Sequence, residues 1–537
     1  MKKKNPHKDK PSVSSHLVPP QERGRRWGDT ALLITAFLLF WLWAAWWMGD
    51  VLRIAYERSF FAPDATLMHW LRQQSFGLLW IAGRALLTIY HWPILGGLLV
   101  AALLTASAWL IGVALRVPAL WRWTTFLPAS AWMSWTAWAG LDLYYIHEPG
   151  RILALPLLLL VFSIVLAAAT WGMRRLQTGG KAGATGTALA VGKRWHRIVS
   201  PLLLLLLVLL PTLLLHKRHP YLRPLTRMQV QLMKQDYEGM VATAHEHATL
   251  SYRPLAAYYA IGLARTGHLT DQLFDIRLEY DTIYAHSYEG EPEMAPNYYV
   301  VDCNYHAGLI RPAMHRAVEE LTMDGPSLFT LKHLARMALI EEEWALARKY
   351  FHIIRQAPFE GDFLAKYEPM LEQPQRVQAD PEIASLLQTA PVSNVFESQF
   401  EKPCFLGYFA VIGAGRSIQA LHYSIMANLY SKRMPDFLAR CEVLIGTTPP
   451  RSIAEGLVTQ SFKNPAVLQA FPQLKLDAQR YQNFIKIVQP YIKDRARGGE
   501  ELFEQYRGYY PYYYLFGNLR ATRKTTEKTE THKAGVN

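Results

Sequence analysis

The stretch Ile198–His216, IVSPLLLLLLVLLPTLLLH, constrains this chain more than any other. It is an almost pure leucine run with Lys193, Arg194 and Arg197 before it and Lys217 and Arg218 after it. A segment this apolar and this long reads as a membrane span. It also divides the chain. Up to Leu215 there are several long apolar runs, with 21 Lys plus Arg against 8 Asp plus Glu; the remainder has 36 against 35 and an ordinary globular composition. Nearly all of the net charge of +14 therefore sits in short segments beside apolar runs. That placement is the positive-inside pattern, and it argues against nucleic acid as a partner despite the pI of about 9.4.

Taken in order, residues 1–29 are basic and rich in Pro and Ser, which predicts a disordered cytoplasmic tail. A cleaved signal peptide does not fit: the apolar core is too long, no A-x-A-like site follows it, and further spans come after. Spans are predicted near 30–48, 92–115, 124–143, 152–171 and 198–215, making a membrane domain over 30–216. Phe76–Tyr90 is short for a crossing and carries Arg84 near its middle, so it is expected to lie along the interface or re-enter. Five spans place the amino end, the Arg116–Arg122 turn and the acid-free Arg174–Arg197 loop on one side. Six would put that loop outside, against the charge rule. The expectation is a bacterial inner membrane protein with a cytoplasmic amino end and a periplasmic C-terminal half.

Beyond Pro220 the apolar residues recur at helical spacing without strand alternation, so the chain as a whole is predicted all-α. Residues 217–359 read as a helical-repeat domain, 360–400 as a Pro-rich connection with one short helix around Glu382–Thr389, 401–517 as a further helical part and 518–537 as a disordered tail. The clearest unit is Leu328–Phe359, with Leu331, Leu334, Ala335 and Ala338 on one helix face and Ala347, Phe351 and Ile354 on the next. It resembles a tetratricopeptide repeat, with Leu331 in place of the usual tryptophan and Ala338 in place of the usual tyrosine. Such hairpins bury their apolar faces by stacking, so an α-solenoid is expected.

Chemistry-bearing motifs are sparse. The three cysteines have no metal-ligand or redox spacing, and nothing in the sequence calls for a cofactor or a metal. Gly413-Ala414-Gly415 lacks the lysine of a phosphate loop and reads as a close helix start. His245 and His247, two apart on a helix, point about 200° from each other and cannot share an ion there. His306 and His315 read as packing or capping histidines. More weight falls on polar residues near the predicted outer face: Arg84, Asp50, Asp142, His147 and Glu148, with Glu57 and Asp64 on the same side. An intramembrane cation needs a partner or a role. The group is either a small polar site or interfacial anchoring with an Arg84–carboxylate pair. The aromatic run Tyr509, Tyr510, Tyr512 and Tyr513 is either a cap on the last helices or an exposed partner-binding patch.

Three stretches, YHWPILGG at Tyr90–Gly97, LARKYFHIIRQAPF at Leu346–Phe359 and YRGYYPYYYLFG at Tyr506–Gly517, together with the membrane block, resemble an uncharacterised family of bacterial inner-membrane proteins classed as a domain of unknown function. The resemblance covers nearly the whole chain. It implies the same layout and brings no activity and no site residues. The expectation is a non-enzymatic, membrane-anchored scaffold that contacts membrane lipids and binds envelope proteins or peptides. An envelope enzyme or lipid-linked carrier working at the outer face is the other class.

Overall fold

The computed structural model describes residues 20–140, 143, 148–177, 196–278, 299–390, 405–406, 409 and 417–517. Among them the secondary structure is helical throughout. Asp142, His147, Cys404 and the Gly413–Gly415 segment lie outside the described residues.

Three helices are long and apolar enough to cross a membrane: Thr30–Trp47 within α1 (Pro20–Leu42) and the π-helical turn that follows it, all of α5 (Pro93–Ala114), and Arg151–Arg175 within α7 (Arg151–Gln177). The sequence predicted five. The expected span at 124–143 is divided. It opens as a 3-10 segment, Ala119–Phe126, and continues as α6 (Leu127–Ala139), a helix of 13 residues. Pro128 sits in the first turn of α6, where its missing N–H costs nothing, and Gly140 at φ +56° ends it. At 1.5 Å per residue α6 is about 20 Å long, against a hydrocarbon core of about 30 Å. The last expected span belongs to α8 (His196–Arg218), but its described apolar part, Val199–Leu210, is shorter than a crossing. Hydropathy averaged over a window does not register the division of the α6 segment.

These segments form one bundle. Gly97 of α5 packs so tightly on α1 and its π turn that a Cβ there would lie 2.6 Å from the Ala45 Cβ. Trp43 donates from Nε1 to Thr212 Oγ1 at 3.2 Å, and Ser130 Oγ donates to the Leu207 carbonyl at 2.7 Å. These bonds tie α8 to the π turn after α1 and to α6. Between α1 and α5 the chain forms three short helices, α2 (Gly49–Glu57), α3 (Ala65–Gln73) and α4 (Gly77–Leu87). Helix α4 has 11 residues, about half a crossing, and packs on α7 through Gly83 and Gly150.

The C-terminal half is a run of helical hairpins. Helices α9 (Leu222–Met233), α10 (Tyr237–Glu246) and α11 (Arg253–Thr266) pack in succession, as do α13 (Val300–His306), α14 (Ile310–Asp324), α15 (Leu328–Ile340) and α16 (Trp344–Arg355), with the short α12 (Leu269–Gln272) between the two sets. The residues expected as a connection after 360 are largely helical up to Thr389: α17 (Gly361–Tyr367), a 3-10 turn, α18 (Gln375–Ala379) and α19 (Pro381–Thr389). Three of the four prolines that suggested a loop stand at helix starts, Pro369 and Pro381 in first turns and Pro374 at an N-cap, where proline is pre-organised; the fourth, Pro391, lies outside the described residues.

Candidate ligand cavity

Helix α2 leaves the end of the first apolar helix and is received by the C-terminal half. Its N-cap, Met48, has no capping side chain, and seven of its nine residues are buried. Burial of this strongly amphipathic helix against α9 and α15 joins the two halves. Polar contacts fix the orientation. Tyr56 donates its hydroxyl to Glu360 Oε1 at 2.6 Å. Lys332 of α15 stands between Glu57 Oε2 at 2.9 Å and Glu360 Oε2 at 2.8 Å. Arg53 reaches Glu57 at 3.0 Å and donates to the His91 carbonyl. Just past α2, Ser59 accepts from the Leu328 N–H at 3.0 Å, while Arg58 pairs with Glu320 at 3.0 Å and lies 3.8 Å from the Phe329 ring centre.

Between α2 and the facing helices lies a cavity of about 460 Å³. One side is α2 with His91; the other comes from α9, α13, α15, α17 and α19. That volume is in the range of small-molecule sites. Ile54, Val230, Met233, Phe329, Phe359 and Phe363 supply apolar surface. The polar wall falls into three groups. The first is the Lys332 cluster. The second surrounds Glu382, which takes Arg336 at 3.3 Å, the Tyr367 hydroxyl at 3.3 Å, Lys366 at 3.9 Å and the Gln235 amide. In the third, Asp302 accepts the Tyr258 hydroxyl at 2.7 Å and lies 3.1 Å from His333 Nε2, while His333 Nδ1 faces the Phe329 carbonyl at 3.0 Å.

The electrostatics follow from burial and pairing. Burial pushes the Glu57 carboxyl up, but the charges of Lys332 and Arg53 outweigh it and hold Glu57 below the usual carboxylate range. Burial alone would lower Lys332, and the two carboxylates raise it instead. His306, whose Nδ1 faces Arg265 at 3.3 Å, is held well below the ordinary imidazole range by burial and by the charges of Arg265, Arg336 and His333. It is neutral at pH 7, and accepting at Nδ1 leaves its hydrogen on Nε2.

Of the residues named from the sequence, Glu57 and His306 line this cavity, and the other described ones are placed elsewhere. Arg84 is buried and makes a bidentate pair with Glu148, at 2.5 and 2.7 Å, and donates to the Phe60 carbonyl at 3.1 Å. The pair with Glu148 joins α4 to the start of α7. Asp50 faces Arg227, Lys234 and Arg223, and burial raises its carboxyl against their influence. The four tyrosines are all buried in or beside α27 (Tyr510–Phe516), against α20 (Ile418–Tyr430) and α22 (Arg451–Ser461). Tyr513 donates to the Tyr430 carbonyl at 2.6 Å, Tyr512 to Gly499 at 2.6 Å and Tyr510 to Leu429 at 3.2 Å. His245 bonds the Tyr259 hydroxyl at 2.9 Å.

Sequence reasoning missed Lys332, His333, Arg336, Glu360, Glu382 and Asp302. A signal for the first three was present: positions i, i+1 and i+4 of α15 put three basic residues on one stripe of an otherwise apolar helix. Among the described residues, no group of three or more His, Cys, Asp or Glu is arranged to hold a metal ion.

No curated protein and no solved structure matches this chain. A family model does, described as a family of unknown function, DUF6057, over residues 143–517. That stretch contains the wall formed by α9, α13, α15, α17 and α19, while α2 and His91 precede it. With some seven-tenths of its length matched, from the end of α6 to the close of the tyrosine-rich α27, the chain belongs to the family of unknown function DUF6057.

Proposed function

We propose that this protein is a membrane-anchored binding protein of the bacterial envelope, without catalysis, and that its ligand seats in the cavity between α2 and the C-terminal helices. One observation carries the reading: the two halves meet around a half-open cavity of about 460 Å³. Helix α2 covers the faces of α9 and α15 that it packs on. A small molecule or short peptide suits what remains. The same arrangement supports a five-segment topology in which α6 with its 3-10 lead and α8 complete the bundle. Trp47 meets His216, and Trp138 meets Arg218, at the end of the bundle from which α2 departs. By the charge rule that end is periplasmic.

Two measurements test this. A reporter fused after Arg218 is expected to be active in the periplasm; cytoplasmic activity overturns the topology. Native mass spectrometry of the whole protein, offered a membrane extract, is expected to show a retained small species that Met233→Trp, which fills the cavity, removes. Equal retention by both proteins, or by neither, removes the cavity as a binding site.

A further inference from the structure

The cavity's lining contains nearly balanced charge, but the two signs are not equally reachable. Three of the five lining carboxylates are less exposed than the cations paired with them. Glu57 and Glu360 keep 3% of their side-chain surface and Glu382 6%, while Arg53 and Lys332 keep 17%, Arg336 16% and Lys366 41%. A ligand entering the cavity therefore meets guanidinium and ammonium groups first. The exceptions on the lining are the exposed Asp362 and the buried Asp302, which pairs with His333 and Tyr258. The buried carboxylates hold the cations in place and offset part of their desolvation. They leave N–H donors for a second acceptor, since a guanidinium carries five and an ammonium three.

The apolar surface lies to one side of this basic wall. Phe359 lines the cavity, is 44% exposed and lies 4.6 Å from the Trp92 ring, itself 45% exposed. Trp92 is the N-cap of α5, one of the three helices able to cross a membrane. Exposed aromatic rings at such a position suit the level of lipid headgroups. The cavity thus has a basic interior and an aromatic mouth beside the end of a membrane helix.

We propose that the ligand is an anionic amphiphile, with a phosphate or carboxylate headgroup bound by Arg53, Lys332, Arg336 and Lys366 and its apolar part against Phe329, Phe359 and Phe363. This rests on the reading of the cavity as a binding site and names what that site selects. The headgroup chemistry is shared by a lipid of the outer leaflet and by a soluble anion.

The test places the whole protein in lipid nanodiscs and measures retained lipid by native mass spectrometry. Phosphatidylglycerol is expected to be retained in preference to phosphatidylcholine. Lys366→Gln, at the most exposed of the four cations, should weaken retention about tenfold, and Lys366→Arg should keep it. Millimolar inorganic phosphate separates the sources: displacement of the lipid assigns the site to a free anion, and its failure assigns it to the membrane lipid. If phosphatidylcholine is retained equally well, or if Lys366→Gln and Arg53→Gln both leave retention unchanged, the anionic assignment is overturned. A species lost on Met233→Trp but indifferent to those charges would leave the cavity a binding site while removing this inference.

Discussion

Lys332 Nζ lies 2.9 Å from Glu57 Oε2, across 275 positions of sequence, and this contact joins the C-terminal half to the segment that follows the first helix able to cross a membrane. Glu57 keeps Arg53, but Glu360, equally covered, loses its cation, so removing the lysine strands a buried charge. Lys332→Met is expected to cost about 3 kcal/mol, because breaking one side of a buried pair is far more costly than the pair's net worth. Glu57→Gln with Lys332→Met should cost at least 1 kcal/mol less than the sum of the single changes. Thermal unfolding in detergent, followed by tryptophan fluorescence, reads this; strictly additive losses would show that the two residues are not coupled.

The same pair sets a pH window. Glu57 has a folded pKa below its unfolded value, so its stabilisation is present above the unfolded pKa and is lost as pH falls through the folded one. Lys332 has a folded pKa above its unfolded value, so its contribution is present below the unfolded pKa and is lost as pH rises through the folded one. The junction is expected to be firm from about pH 5 to about pH 10 and to loosen outside that range. Limited proteolysis across pH checks this, with Glu57→Gln flattening the acid limb.

Arg84 and Glu148 are predicted to be structural. Arg84→Lys should not restore the stability lost in Arg84→Ala, because one ammonium cannot reproduce a two-pronged contact and also reach the Phe60 carbonyl. Either substitution is expected to lower stability by about 2 kcal/mol or more without changing ligand retention in the cavity. A change in retention at unchanged stability would give these residues a role in binding.

Two glycines in membrane-candidate helices should respond oppositely. At Gly97 a Cβ would lie 2.6 Å from the Ala45 Cβ and 2.8 Å from its backbone nitrogen, so Gly97→Ala must push two helices apart, at about 1–3 kcal/mol. At Gly172 a Cβ meets nothing within 4 Å, and Gly172→Ala should be neutral or stabilising by up to about 1 kcal/mol. Equal melting temperatures for the two variants would refute the close contact.

Tyr513→Phe removes the hydroxyl that bonds the Tyr430 carbonyl at 2.6 Å and should cost about 1 kcal/mol. The tyrosine run is packed into the end of the C-terminal half, so surface labelling of Tyr510 and Tyr513 is expected only after unfolding.

Much of the fold is a local property and was legible. Runs of leucine, a helical period of apolar residues and the charges flanking them are set by neighbours within a few turns, which is why the helical class and the hairpin at Leu328–Arg355 follow from the chain itself. Helix ends were less legible: Gly140 and the proline of α6 break a window that is apolar throughout, and prolines that stop one helix start another. The cavity was decided by tertiary structure alone. Glu57, Asp302, Lys332, Glu360 and Glu382 come from five separated segments, and all but Glu57, which stands beside the first apolar run, look like ordinary solvated charges until burial makes an unpaired one too costly to keep. Pairing across distance is what turned them into a wall, and the sequence carries no period for it.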